Sequence, residues 1–329
     1  MLEGNLMNLS IGLRTIKTVI GVALAVSIAQ FLGMNNYASA GMLAILSIQS
    51  TKKQSLVTAR NRFIGSIFMM ALCLLFFEGV AFNPLLIGCV LLIYIPLAVY
   101  WNVTDSIVPS SVVALHLYSY GYINLSVVLN EISIIAIGMT VALLLNLFMP
   151  SLDRVLESNK LEIEEKFTKI FKEIVKYLNN NDTEWSGIEL IETEKLIKKS
   201  KKLAIVEQEN NLFQKKDSYY AYFQLRDKQL AIIERVLPYV TSISTKVEQS
   251  KLIAKFIDEM SDHINSANTV DIRLQSLNDL RANFQEMDLP KTREEFEIRA
   301  ALFYFVQEME QFLLIKKHFF EVKKEDKDE

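Results

Sequence analysis

Six apolar segments fill the first 150 residues of the chain, and charged residues then recur every few positions to the end. Between residues 18 and 149 the basic residues are confined to one short stretch: Lys52, Lys53, Arg60 and Arg62. An apolar run leaves water only by entering a protein core or a bilayer, and runs this long with so few charges favour lipid. The sequence therefore predicts an all-α, polytopic membrane domain over residues 1–150, followed by a water-soluble half.

The six predicted transmembrane helices lie at about 18–34, 37–50, 63–82, 84–101, 106–120 and 124–149. At ~1.5 Å rise per residue, the third, fourth and sixth are long enough to cross a hydrocarbon layer of ~30 Å. The first, second and fifth are short, so they must stand nearly upright, thin the bilayer or lie behind neighbouring helices.

Loop charges predict the orientation of these spans. The basic residues lie before the first span (Arg14, Lys17), between the second and third (Lys52 to Arg62) and after the sixth (Arg154, Lys160). The opposite loops carry no Lys or Arg, so the positive-inside rule predicts a multi-pass protein of the cell membrane with both termini in the cytoplasm. An alternative stays open: Ala38-Ser39-Ala40 resembles a signal cleavage site, and cleavage there would leave five spans.

The polar half shows helical periodicity and no strand alternation. Apolar residues recur at steps of three and four from Leu152 to Leu178, and Thr292 with Glu295 three residues later predicts the capped start of a final helix. We interpret residues 151–322 as a cytoplasmic antiparallel helical bundle and residues 323–329 as a charged, disordered tail.

Composition and motifs argue against several classes of function. With a net charge of −3 and no strongly basic half, the chain is not expected to bind nucleic acid. It has no Gly-rich phosphate loop and no metal-spaced His/Cys cluster, so we predict no enzyme activity, no cofactor and no metal site. Cys73 and Cys89 both lie in apolar segments and are interpreted as packing residues.

The stretch over residues 44–55, AILSIQSTKKQS, followed by Arg60-Asn61-Arg62-Phe63-Ile64-Gly65, resembles the aromatic acid exporter family of the fusaric acid resistance superfamily. Arg62 and Gly65 match the Arg-x-x-Gly element of that family, which makes Gly65 a candidate for helix packing. Met69 occupies the place where the family often has a second glycine.

The resemblance implies a secondary exporter that moves small organic anions, such as aromatic carboxylic acids, out of the cell across the bilayer. Larger members carry two membrane-plus-cytoplasmic units in one chain. This chain has one, so the resemblance predicts a homodimer.

Ionisable residues inside spans cost ~2.5–3.5 kcal/mol on insertion scales, so each needs a reason. Glu78, Glu131 and His116 fall in the outer parts of three predicted spans, and we expect them to form one proton-coupling site. The alternative is that both carboxylates face water at the headgroup level and that His116 is a buried structural histidine. Gln30, Asn130 and Asn146 are polar span residues expected to bridge helices.

Arg62, Arg60 and Lys53 are the candidates for an anion entrance on the inner side, because basic side chains attract carboxylates and guanidinium groups bind them bidentately. The alternative is that they only fix the orientation of the spans. Arg60 and Arg62 are two residues apart and point in different directions on a helix, and the resemblance favours Arg62.

Two other functions remain compatible with the sequence. One is a passive anion channel, which the scarcity of acidic residues inside the spans also fits. The other is a membrane-anchored scaffold or sensor that binds partners through its helical half.

Overall fold

The computed structural model describes residues 2–180, 185–211, 218–243, 245–262 and 269–328 of the chain. These residues form α-helices and no β-strand, which confirms the predicted all-α class. The helices are α1 Leu2–Phe31, α2 Ala38–Ser47, α3 Lys52–Cys73, α4 Pro84–Tyr100, α5 Ile107–Tyr120, α6 Leu125–Leu147, α7 Asp153–Asn180, α8 Ile188–Asn210, α9 Ser218–Thr241, α10 Glu248–Ser261, α11 Val270–Glu286 and α12 Arg293–Asp328. A π-helical turn, Leu74–Glu78, extends α3, and a 3₁₀ turn, Thr104–Ser106, precedes α5.

The chain divides into two compact units, each with its own apolar core. The first unit contains Met1–Pro150 and Glu209–Phe213, and the second contains Ser151–Gln208 and Gln214–Glu329. The boundary near residue 150 coincides with the change from apolar to charged sequence.

Small residues let the helices of the first unit approach closely. Helix α1 packs on α2 and α6, α2 packs on α6, and α3 packs on α5. The contacts include five alanines that are 0% exposed: Ala25, Ala29, Ala40, Ala44 and Ala142. Interfaces rich in small residues are typical of helices that associate in lipid, where close van der Waals packing replaces the hydrophobic effect.

Large apolar side chains cover the outer surface of the first unit. Phe31 is 91% exposed, Leu85 78% and Leu92 76%. Such a surface suits acyl chains and not water. Among the described residues, the stretches long and apolar enough to cross a membrane are Arg14–Phe31, Lys52–Glu78 and Leu125–Leu147. Helices α2, α5 and α4 are shorter, with 10, 14 and 17 residues, so the six-span topology stays a prediction.

The basic stretch from Lys52 to Arg62 is helical and not the loop that the sequence predicts. Helix α3 begins at Lys52 because Thr51 caps it: the Thr51 Oγ1 accepts a hydrogen bond from the Gln54 N–H at 3.3 Å. The helix assigned to the predicted third span therefore begins at Lys52 and not near residue 63, and the basic residues lie in its first three turns.

Helices α7 to α12 of the second unit enclose one apolar core that includes Phe167, Phe223 and Phe305. The predicted cap of α12 is present, since the Thr292 Oγ1 accepts from the Glu295 N–H at 3.1 Å. The Glu295 carboxylate completes the cap by accepting from the Lys291 N–H at 2.9 Å.

Helix α12 continues to Asp328, so residues 323–328 are helical where the sequence predicts a disordered tail. Extending a helix is far easier than nucleating one, and Lys and Glu are good helix formers. The turns that the core holds therefore allow the charged end to continue as helix.

Candidate functional site

His116 on α5 lies between polar side chains of two neighbouring helices. Its Nδ1 is 3.1 Å from the Glu131 Oε2 on α6, and its Nε2 is 3.0 Å from the Ser39 Oγ on α2. A neutral imidazole that carries its proton on Nδ1 donates to the Glu131 carboxylate and accepts from the Ser39 hydroxyl. One histidine thus links three helices through two hydrogen bonds.

Glu131 is the acidic group of this cluster, and it is buried. The residue Glu131 is 1% exposed, and its Oε1 has no hydrogen-bond partner among the described residues. Leaving a charged oxygen buried and unpaired is costly. Within the described residues, Oε2 is thus the oxygen of this carboxylate that has a hydrogen-bond partner, and Oε1 is not compensated.

Glu78 does not join this pair. It is exposed, and its Oε1 accepts a hydrogen bond from the backbone N–H of Ile123 at 2.7 Å. This places it at the end of the π-helical turn, where it holds the loop before α6. Of the three residues expected to meet, the structure brings together only His116 and Glu131.

Ser39 was missed by the sequence reasoning, because it lies within a run of small residues. The signal that identifies it is a hydroxyl on the first turn of a helix whose middle residues are apolar. Asn130 anchors the preceding turn: its Oδ1 accepts from the Asn35 N–H at 2.9 Å and its Nδ2 donates to the Asn35 carbonyl at 3.1 Å. The start of α2 is therefore held against α6 beside the His116–Glu131 pair.

Arg62 holds the opposite end of the helical unit together. It is 7% exposed; its Nε donates to the Asp105 carbonyl at 3.1 Å and its Nη1 donates to the Ser47 Oγ at 2.9 Å. These contacts join α3 to the end of α2 and to the 3₁₀ turn before α5. Two of its nitrogens are thus committed to protein acceptors, which limits the guanidinium as a binder of free anions.

Gly65 lies one turn after Arg62 and faces the same 3₁₀ turn. A Cβ added at this glycine would lie 2.3 Å from both the Cβ and the Oγ of Ser106, and 2.5 Å from the Tyr94 Oη. The Tyr94 hydroxyl is 2.7 Å from the Ser106 Oγ, so the three residues form one tight contact. The Arg-x-x-Gly spacing combines a hydrogen-bonding side chain with the gap that lets the turn approach it.

Arg60 and Lys53 are exposed and do not gather with Arg62. The Arg60 Nη2 donates to the neighbouring Asn61 Oδ1 at 3.3 Å. The three predicted entrance residues therefore share one helix, but Arg62 is buried while the other two lie on its surface.

The second unit has a buried ionic cluster that the sequence did not indicate. Arg226 on α9 is 2% exposed and lies over the Phe167 ring at 5.3 Å. Its Nε donates to the Tyr222 Oη at 2.9 Å, and its Nη2 lies 3.4 Å from the Glu164 Oε1 on α7. The Tyr222 hydroxyl donates to the same carboxylate at 2.7 Å, and burial raises the pKa of Tyr222.

Helix α12 contributes to this cluster through Lys316 and through the chain near Phe312. The Gln229 Nε2, on α9, donates to the Phe312 carbonyl at 3.2 Å, and the Arg226 Nη1 donates to the Gln229 Oε1 at 3.0 Å. Burial, together with the nearby Arg226 charge, lowers the pKa of Lys316 to about 8. The cluster ties α7, α9 and α12 together in the core.

Two protein-family models match the chain. The model described as "Aromatic acid exporter family member 1" matches residues 9–149, and the model described as "Putative aromatic acid exporter C-terminal domain" matches residues 153–317. The chain belongs to the aromatic acid exporter family. It is accordingly a member of a family of membrane exporters, which confirms the resemblance seen around Arg62 and Gly65.

Among the relatives of this exporter-family chain is the "Uncharacterized protein YqjA" of Bacillus subtilis (strain 168). It is 48% identical over 309 residues, which cover 94% of this chain and 96% of that protein. The crystal structure of a "putative membrane protein" from Clostridium difficile 630 matches 50% of this chain and 98% of its own, with 22% identity and a TM-score of 0.43. A score this low does not establish a common fold.

Proposed function

We propose that this aromatic acid exporter family chain is a secondary exporter that moves small organic anions, with aromatic carboxylates as the expected class, in exchange for protons. Its location is the cell membrane, with both termini in the cytoplasm. The proposal gives the first unit the transport pathway and leaves the second unit on the inner side.

The observation that carries the coupling is the His116–Glu131 pair. A carboxylate that is 1% exposed and 3.1 Å from an imidazole can take up a proton without leaving a lone charge in the helical bundle. Histidine titrates nearest to physiological pH, and intramembrane carboxylates are typical of proton relays. In the proposed cycle the pair binds a proton from outside, and releases it inward when the anion has left.

Charge distribution supports the direction of anion binding. The basic residues of the first unit lie at the ends assigned to the inner side, while the opposite loops carry no Lys or Arg. A concentration of positive charge at one mouth raises the local concentration of anions there. Arg60 and Lys53, which are exposed, suit this role better than the buried Arg62.

A homodimer is part of the proposal. Larger members of the superfamily join two such units in one chain, and this chain supplies one. The pathway is then completed by a second copy.

Efflux of a labelled aromatic carboxylate from preloaded cells tests the function. The proposal predicts faster efflux when the protein is produced, and loss of that increment when a protonophore collapses the gradient. A flux that is independent of the proton gradient but depends on membrane voltage would support the channel alternative. No increment with any organic anion would leave the scaffold alternative, which a pull-down with the 151–329 fragment would address.

A further inference from the structure

An apolar groove runs between α3 and α6 on the outer surface of the first unit. Its volume is about 280 Å³, and its lining residues are Lys52, Leu56, Thr140, Leu143, Leu144, Asn146 and Leu147. Leu56, Leu144 and Leu147 are 49%, 55% and 57% exposed, so the walls of the groove are apolar and face outward. The polar groups Lys52 and Asn146 belong to the helix ends that the predicted topology assigns to the inner leaflet.

Lys52 supplies an uncompensated positive charge at this end. Within the described part of the chain its ammonium forms no ion pair, and the nearby Lys17 repels it electrostatically. Two close like charges, of which Lys52 has no ion pair within the described residues, favour a bound anion from outside the protein.

Asn146 bridges helices at the same end of the groove. It is 1% exposed; its Nδ2 donates to the Ser55 Oγ at 2.5 Å and to the Ser47 carbonyl at 3.3 Å. Its Oδ1 is itself buried, so Asn146 holds the end of α6 against α2 and α3 and leaves the groove wall apolar at this point.

We infer that this groove binds an anionic phospholipid of the inner leaflet. One acyl chain lies along Leu56, Leu143, Leu144 and Leu147, and the phosphate pairs with Lys52. An amphiphile fits the combination of an apolar wall and one basic end, whereas a small hydrophilic anion would make no contact with the apolar side chains. The inference rests on the membrane location of the first unit and is independent of the transport reaction.

Native mass spectrometry of the detergent-solubilised full chain tests it, with phosphatidylglycerol titrated against phosphatidylcholine of the same acyl chains. We expect the wild type to retain phosphatidylglycerol preferentially. Lys52→Gln should weaken that retention about fivefold, as expected for one basic residue near an anionic lipid surface. Leu144→Trp should fill the groove and remove retention of both lipids.

Two matched variants serve as controls. Lys53→Gln removes a neighbouring exposed charge, and Leu129→Trp enlarges an exposed residue on the same helix α6 outside the groove lining. Both should retain phosphatidylglycerol as the wild type does. Glycerol 3-phosphate, which has the phosphate but no acyl chains, should not compete.

Several outcomes would overturn the inference. Equal retention of the two lipids by the wild type would do so without relying on any variant. Competition by glycerol 3-phosphate would indicate a site for a free anion. A shift of Leu144→Trp from dimer to monomer, with lipid retention unchanged, would show that a second copy of the chain covers the groove. None of these outcomes measures flux, so the proposed exporter function is judged separately.

Discussion

The His116 Nδ1 lies 3.1 Å from the Glu131 Oε2, and this contact joins α5 to α6 at a buried carboxylate. Because the Ser39 hydroxyl lies 3.0 Å from the opposite nitrogen of the same ring, a change in the proton count of the pair also changes which atom donates between α5 and α2. Proton binding and helix packing are therefore connected at one histidine.

The His116–Glu131 contact predicts strong energetic coupling between the two residues. In a double-mutant cycle of His116→Ala and Glu131→Gln, we expect a coupling energy of about 0.5–3 kcal/mol in the stability of the detergent-solubilised protein. A second cycle, of His116→Ala and Glu78→Gln, should be additive, since Glu78 bonds to the Ile123 backbone instead. Additivity in both cycles would mean that the pair does not form in the folded protein.

Gly65→Ala should destabilise the first unit. The new methyl group would lie 2.3 Å from the Ser106 Cβ, and overpacking of this kind costs about 1–3 kcal/mol. Gly88→Ala is the matched control: it is a helical glycine with nothing within 4 Å of the added Cβ. That change should stabilise α4 by about 0.5–1 kcal/mol. Thermal unfolding in detergent measures both, and equal effects would contradict the close contact at Gly65.

Arg62→Gln should lower stability, because it removes donors to the Asp105 carbonyl and the Ser47 Oγ. Hydrogen bonds from charged donors contribute about 1.5–3 kcal/mol each. Arg60 is exposed, and its Nη2 donates to the neighbouring Asn61 Oδ1 on the same helix. Arg60→Gln should therefore leave the unfolding midpoint unchanged and weaken anion binding instead. The reverse pattern, with Arg60 structural and Arg62 affecting only the substrate KM, would restore Arg62 as the anion entrance.

Lys316 predicts an unusual pH dependence for the second unit. Its pKa is lowered from 10.5 to about 8 in the folded state, so above pH 8 the unfolded chain binds more protons at this site than the folded chain does. Stability contributed by this residue therefore rises with pH between about 8 and 10. Relative to Lys316→Met, the wild-type 151–329 fragment should gain about 2–3 kcal/mol over that range in urea unfolding. A constant difference between the two proteins would show that Lys316 titrates normally.

The sequence predicted helix content well because apolar spacing reports directly on helical faces. The cap at Thr292 and Glu295 was predicted since it depends on residues three apart in sequence. The helical start of α3 was not, although Thr51 is a good capping residue, because four basic residues within eleven positions resemble a loop. Local signals thus decided the outcome in one case and misled in the other.

The site was predicted only in part, because its geometry depends on contacts between distant segments. His116 and Glu131 were identified by the cost of ionisable groups in apolar helices, but the same reasoning could not exclude Glu78 or include Ser39. Their roles depend on how α2 packs against α5 and where the loop before α6 passes. The burial of the Arg226 cluster could not be predicted from the sequence for the same reason, since charged residues on amphipathic helices normally face solvent.

Substrate flux in proteoliposomes, compared between the wild type and Glu131→Gln, tests the central claim most directly. The wild type should move a labelled aromatic carboxylate faster when a proton gradient is imposed, after subtraction of the leak in protein-free vesicles. Glu131→Gln should keep the exchange of labelled for unlabelled substrate at equal pH but lose the acceleration by the gradient. If the variant responds to the gradient as the wild type does, the His116–Glu131 pair does not couple protons to export.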